Sequence, residues 1–341
     1  MGRGTSAELS RRPALSLPLT AALALLLAAL AFGAVMIGPY GLSPGETLAA
    51  LLGRGEVQAQ IVVWNIRLQR VGAALLVGAA LASAGATYQA LFRNPLVSPD
   101  ILGVSAGAGL GAVAGIFLSL PVAAIQAAAF AGGMAAVGVV TLVAALVRGA
   151  DRTLTLVLIG VVIGALAGAA TSLLKVLADP YDQLPAITFW LLGSLSSVTS
   201  ADIRPALPMV LAGLVPLAAL RWRINVLSLG DDEARALGVE AGRTRFVVIA
   251  AATLITASVT ALAGVVGWVG LIIPHIARML VGPGFGRLLP VSALIGAGYL
   301  LVVDTLARTL AQIEVPLGVL TAVIGAPFFV WLLARGRRGW S

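Results

Sequence analysis

RFVVIAAATLITASVTALAGVVGWVGLIIPHIAR, residues 245–278, runs from one arginine to the next with no Lys, Arg, Asp or Glu between them. One membrane-crossing helix needs about 20 apolar residues, so this run is too long for one ordinary span. Arg243 and Arg245 flank one end and Arg278 the other. Basic residues collect on the cytoplasmic side of a membrane, so both flanks belong on that side. A full crossing followed by a short half-helix back satisfies this, with the break at Gly264 to Gly270.

The rest of the chain has the same character. Its 341 residues are 60% hydrophobic and 11% charged, with a mean hydropathy of +1.03. Soluble domains are about 45–50% apolar and about 25% charged. The fold class is therefore an all-α membrane protein with about ten spans. The apolar runs lie near 14–37, 71–92, 101–120, 122–147, 154–177, 205–220, 246–264, 265–275, 288–303 and 316–333. The run at 14–37 exceeds the roughly 7–15 residues of a signal-peptide core, so it reads as the first span. One transmembrane domain, 14–335, then lies between cytoplasmic segments 1–13 and 336–341. With both termini inside, 16 of the 22 basic residues fall on the inner side. The outer six are Arg54, Arg67, Arg70, Lys175, Arg204 and Arg308. This asymmetry also accounts for the +8 net charge without nucleic acid as a partner.

Several chemistries are excluded. There is no cysteine, and His275 is the single histidine, so neither disulfides nor a Cys/His metal site is available. The phosphate-cradling motif G-x-x-x-x-G-K-[ST] is missing, because the single lysine, Lys175, lies in SLLKVLAD. No Ser-His-Asp set can form around His275, which reads as a capping or interfacial residue at a helix end. The acids cluster at span ends, with Asp304 the nearest exception, so an ion-coupled carrier lacks its usual mid-membrane carboxylate.

One segment breaks the pattern. Residues 221–245 hold nine charged side chains around LGDDEARALGV, 229–239. Asp231, Asp232 and Glu233 would complement the dipole at a helix start, and Ala234 and Leu237 would share a small apolar face. Gly238 is placed to end the helix in the left-handed conformation. The residues alone leave two readings open, a solvated loop or a docking surface for another protein.

Five stretches decide between them: RLQRVGAALLVGAALASAGATYQALFRNPLVSPDILGVSAGAGLGA (67–112), LGDDEARALGV, GLIIPHIARMLVG (270–282), DTLAR (304–308) and EVPLGVLTAVIGAPFFVWLL (314–333). In this order and spacing the chain resembles the permease subunits of bacterial type II ABC importers for iron chelates and cobalamin, over about residues 60–335. The resemblance implies ten helices per subunit and a homodimer enclosing the translocation path. It also implies two cytoplasmic ATPase subunits, which bind the ATP and Mg, and a periplasmic or lipid-anchored binding protein. This chain would hold no cofactor or metal and would sit in the inner membrane among lipid.

The resemblance assigns roles to particular residues. Leu229, Gly230, Asp231, Asp232, Glu233, Ala234, Arg235, Leu237 and Gly238 match the coupling helix that fits a groove in the ATPase. Arg67, Arg70 and Arg308 match arginines that hold carboxylates of the binding protein, a task suited to the planar guanidinium; snorkelling to lipid headgroups is the alternative. Asn94 and Leu96, with Thr153 and Leu154, match two cytoplasmic gates. A chain almost without Cys and His is poorly equipped to bind bare transition metal, which favours an already ligated cargo. Iron-siderophore complexes come first, then haem and cobalamin, with an oxyanion such as molybdate also known among family members.

Overall fold

The computed structural model describes residues 16–147 and 152–335. Residues 1–13 with Arg3, Arg11 and Arg12, the first residues of the run at 14, Arg148, and segment 336–341 with Arg337 and Arg338 lie outside the described residues. The described residues form fifteen α-helices and no strand.

In chain order, α1 (Ser16–Met36) is followed by α2 (Pro44–Leu51), which opens on a capping box between Ser43 and Glu46. Next, α3 (Val57–Ile61) passes through a π-helical turn, Val62–Arg67, into α4 (Leu68–Leu91). A 3₁₀ turn at Pro99–Leu102 leads to α5 (Val104–Phe117), α6 (Val122–Leu146) and α7 (Arg152–Leu177). Beyond them lie α8 (Gln183–Leu192) and α9 (Ser200–Ala219). The charged segment holds α10 (Arg221–Leu227) and α11 (Asp231–Ala236). The chain finishes with α12 (Ala241–Ala263), α13 (Val269–Val281), α14 (Phe285–Ala307) and α15 (Leu317–Arg335).

Each of the ten apolar runs overlies a helix, and among the described residues seven helices are long and apolar enough to cross a membrane. The run at 71–92 is the second half of a 35-residue helix that begins at Val57. The long run of 245–278 breaks between Gly264 and Trp268, both at φ near +70°. The return helix α13 has 13 residues, about 20 Å against a hydrocarbon core of about 30 Å. It is a half-helix. It also extends past residue 275, so Pro274 and His275 lie inside it, which corrects the expectation of a helix-end histidine. Proline cannot donate to the carbonyl four residues back. Gln89 of α4 compensates, its amide donating to the Leu271 and Gly270 carbonyls at 3.1 and 3.5 Å, while its oxygen accepts from Arg278 at 3.0 Å.

Helices α4 and α12 form the buried centre. Around them α14 lies on α4, α9 on α12, α1 on α14, and α5 pairs with α6. Lipid supplies no hydrophobic force between helices, so close backbone approach must hold them. A methyl group on Gly78 of α4 would collide with the Gly296 carbonyl of α14, and one on Gly85 with that of Gly270 in α13. The outward faces of α6, α7 and α9 carry exposed apolar residues such as Leu142, Leu166 and Val215.

Candidate functional site

Two sites lie at opposite ends of α12, separated by its 23 residues, about 35 Å. At its N-terminal end is α11, at its C-terminal end a cavity rimmed by arginines.

Helix α11 carries its three acids in the first turn. It closes in a Schellman motif, with Val239 N–H donating to the Ala234 carbonyl at 2.8 Å and Gly238 N–H to the Arg235 carbonyl at 2.9 Å. Gly238 takes the expected positive φ of 76°. Ala234 and Val239 are buried, while Leu229 and Leu237 are more than half exposed. Ala234 and Leu237 therefore do not share a face: Leu237 lies one residue past the helix, and the exposed apolar side chains are Leu229 before the helix and Leu237 after it. Asp231 receives both arms of Arg245 from α12, at 2.7 and 3.2 Å. Those hydrogen bonds hold its carboxyl below the usual carboxylate range. Asp232 pairs with exposed Arg235 within the helix. Gly230 sits at φ 149°, a conformation that glycine adopts without the cost a side chain would bring.

At the other end, Arg67, Arg70 and Arg308 line one cavity of about 340 Å³ with Tyr40, Gln312 and Glu314. The three come together as expected, but they are not free surface groups: each is more than nine-tenths buried. Arg67 donates to the carbonyls of Val35, Met36 and Tyr40 at 2.9, 3.2 and 2.6 Å. Arg70 donates from Nε to Asp304 at 2.8 Å and grips Glu314 with both remaining nitrogens, at 2.9 and 2.6 Å. Arg308 donates to the Ala34 carbonyl at 2.6 Å and stands 3.8 Å from Asp304, its Nε without a hydrogen-bond partner. Three cations face two carboxylates, so the cluster keeps an uncompensated positive charge. Glu314 is the member of this cluster that sequence reasoning missed, and Asp304, noted there as the acid nearest mid-span, was not assigned to Arg70. For Glu314 the available signal was its place in a stretch already singled out, EVPLG.

The two segments expected to form gates sit near the α11 end. Asn94 caps its own turn, its side chain accepting the Leu96 N–H at 2.9 Å, and Leu96 is exposed. Thr153 and Leu154 lie in the first turn of α7, Leu154 exposed. The 3₁₀ turn following Leu96 packs on α7, so both segments belong to neighbouring elements.

A model of the FecCD transport family matches residues 25–335. The cobalamin import system permease protein BtuC of Halobacterium salinarum is 45% identical over 276 residues, 81% of this chain and 74% of that protein. The molybdate import system permease protein MolB of Haemophilus influenzae is 40% identical over 93% of this chain and 95% of its own length. A metal-chelate-type ABC transporter solved in an inward-facing conformation superposes with a TM-score of 0.85 at 37% identity, covering 93% of this chain and 99% of that one. With its ten apolar runs folded, its charged helix outside them and its arginines gathered at the far end, this chain belongs to the FecCD transport family.

Proposed function

We propose that the chain is the permease subunit of an ATP-driven importer that takes an iron chelate from a periplasmic or lipid-anchored binding protein and passes it into the cytoplasm. Two copies enclose the path, in the inner membrane with both termini inside. Two ATPase subunits carry the ATP and Mg sites. The observation that carries this reading is α11. A chain with no phosphate-binding motif presents exposed Leu229 and Leu237 on either side of a short helix bolted by Asp231 to the foot of a buried crossing helix. That is the shape of an attachment point for an engine held elsewhere. The net-positive arginine cavity at the opposite end suits carboxylates of a binding protein, since buried guanidinium groups and carboxylates bind with directional, charge-assisted hydrogen bonds. A cargo of cobalamin or molybdate would use the same machinery, as the named roles of the Halobacterium and Haemophilus relatives illustrate.

The test is co-purification of the ATPase subunit with this chain in detergent, comparing wild type with Leu229→Asp plus Leu237→Asp. Both side chains are exposed, so the double variant should fold, and the ATPase should be lost from it. A correctly folded wild-type protein that purifies alone and moves solute without ATP would replace this reading with that of a secondary carrier.

A further inference from the structure

Glu314 is the one residue that lines both cavities at the C-terminal end of α12. On one side lies the arginine cavity; on the other lies a second cavity of about 420 Å³, lined by Trp190, Phe189, Gln126, Ser194 and Ser196. Its carboxylate holds Arg70 in a two-pronged grip and accepts a hydrogen bond from the Ser194 hydroxyl at 3.2 Å. Ser194 in turn sits where three chain breaks meet. Its N–H donates to the Ala263 carbonyl at the end of α12 at 2.9 Å, and the neighbouring Gly193 carbonyl accepts from Leu317 at the start of α15 at 2.9 Å. Gly264, at the α12–α13 break, lies so close to the Trp190 carbonyl of α8 that a methyl group there would collide with it. One side chain thus ties the arginine cavity to the junction of α8, α12 and α15.

The geometry points to Glu314 as a displaceable internal counter-ion, a positioning residue through which docking of an acidic partner side chain at Arg70 reaches the Gly193–Ser194 junction. This rests on the docking role proposed above for the arginine cavity. Arg70 does not lose its place when Glu314 leaves, because its Nε remains bonded to Asp304. The arriving carboxylate takes over the two nitrogens that Glu314 held. Glu314, 27% exposed in its side chain, turns into the second cavity, where the hydroxyls of Ser194 and Ser196 are donors for it. The link from α4 to the junction is then broken, and α8, α12 and the start of α15, still joined by their backbone hydrogen bonds, are free to move together relative to α4.

The experiment uses the complex of this chain with its ATPase subunits in nanodiscs, and as probe the importer's own cargo-free binding protein. Its affinity and its stimulation of ATP hydrolysis are measured for wild type, Glu314→Gln, Glu314→Asp, Ser194→Ala and Arg70→Gln. Glu314→Gln removes the internal competitor, so the binding protein should bind about tenfold tighter, the equivalent of about 1.4 kcal/mol, while stimulation relative to basal hydrolysis falls. Glu314→Asp should restore both. Ser194→Ala should keep wild-type affinity and lose stimulation, a pattern that a merely structural defect would not produce. Arg70→Gln should weaken binding. If it does while Glu314→Gln binds no tighter than wild type, docking stands and the counter-ion role falls. If Arg70→Gln leaves binding unchanged, the docking reading falls, and the role of Glu314 with it. Should Glu314→Gln fail to fold, full stimulation in Ser194→Ala overturns the proposal on its own.

Discussion

Asp231 and Asp232 are adjacent, yet their partners differ in kind. Asp232 pairs three residues along its own exposed helix, with side chains 92% and 70% exposed, and such a pair contributes little. Asp231 reaches out of α11 to Arg245, which is 6% exposed, and so joins the proposed attachment point to α12. Asp231→Asn should therefore leave the ATPase bound but lower the cargo moved per ATP hydrolysed. Swapping the pair, Asp231→Arg with Arg245→Asp, should recover part of the loss. A wild-type ratio in Asp231→Asn would remove the pair from the transmission path. The pH dependence has a definite sign. A carboxyl whose pKa is lowered on folding stabilises fully above its unfolded value, near 3.9, and loses that contribution as pH falls through the folded value. The difference in thermal stability between wild type and Asp231→Asn should thus stay constant from about pH 8 to about pH 5 and close only in stronger acid.

Among the elements, the α4–α14 and α4–α13 contacts rest on glycine rather than on large apolar side chains. Gly78→Val or Gly85→Val would press a branched side chain into a facing backbone carbonyl. Overpacking of this kind costs about 1–3 kcal/mol or more, and here no flexible side chain can yield. Both variants should show reduced yield of monodisperse protein and a lower midpoint of thermal aggregation, whereas Gly138→Val on α6, which meets nothing within 4 Å, should behave as wild type. Equal loss in all three would place the effect on helix propensity instead of packing. The long apolar runs were legible because length and hydropathy alone decide them. Helices α2 and α8 were not: at 8 and 10 residues they are too short to announce a span. The extension of α13 past Pro274 was hidden because its compensating donor, Gln89, lies 182 positions away from Leu271. For the same reason the arginines were readable as a group by their place at outer span ends, but the pairing of Arg70 with its two counter-ions was not. Asp304 and Glu314 stand 234 and 244 positions from Arg70, and only folding pairs them.

For the whole molecule, the proposed roles of the two sites and of the expected gate segments require one motion that joins them. Helix α4 runs from the arginine cavity at Arg70 to the turn that carries Asn94 and Leu96, and α12 runs from the Ser194 junction to Arg245 and α11. Both are packed helices through the centre of the bundle, so a shift at either end is carried as a rigid-body movement rather than absorbed along the way. Leu96 and Leu154 are exposed in the single chain, which places them on faces available to a second copy. The natural sequence has no cysteine, so a single introduced thiol reports without background. Leu96→Cys and Leu154→Cys, each in the complex with its ATPase, should crosslink across two copies when the inner end is closed. The yield should change severalfold when ATP is bound and again after hydrolysis. Leu142→Cys, on the outward apolar face of α6, should not crosslink in any state. Crosslinking of Leu96→Cys and Leu154→Cys that is absent, or present and indifferent to nucleotide, would remove these turns from the gate and confine the ATP-driven movement to other elements.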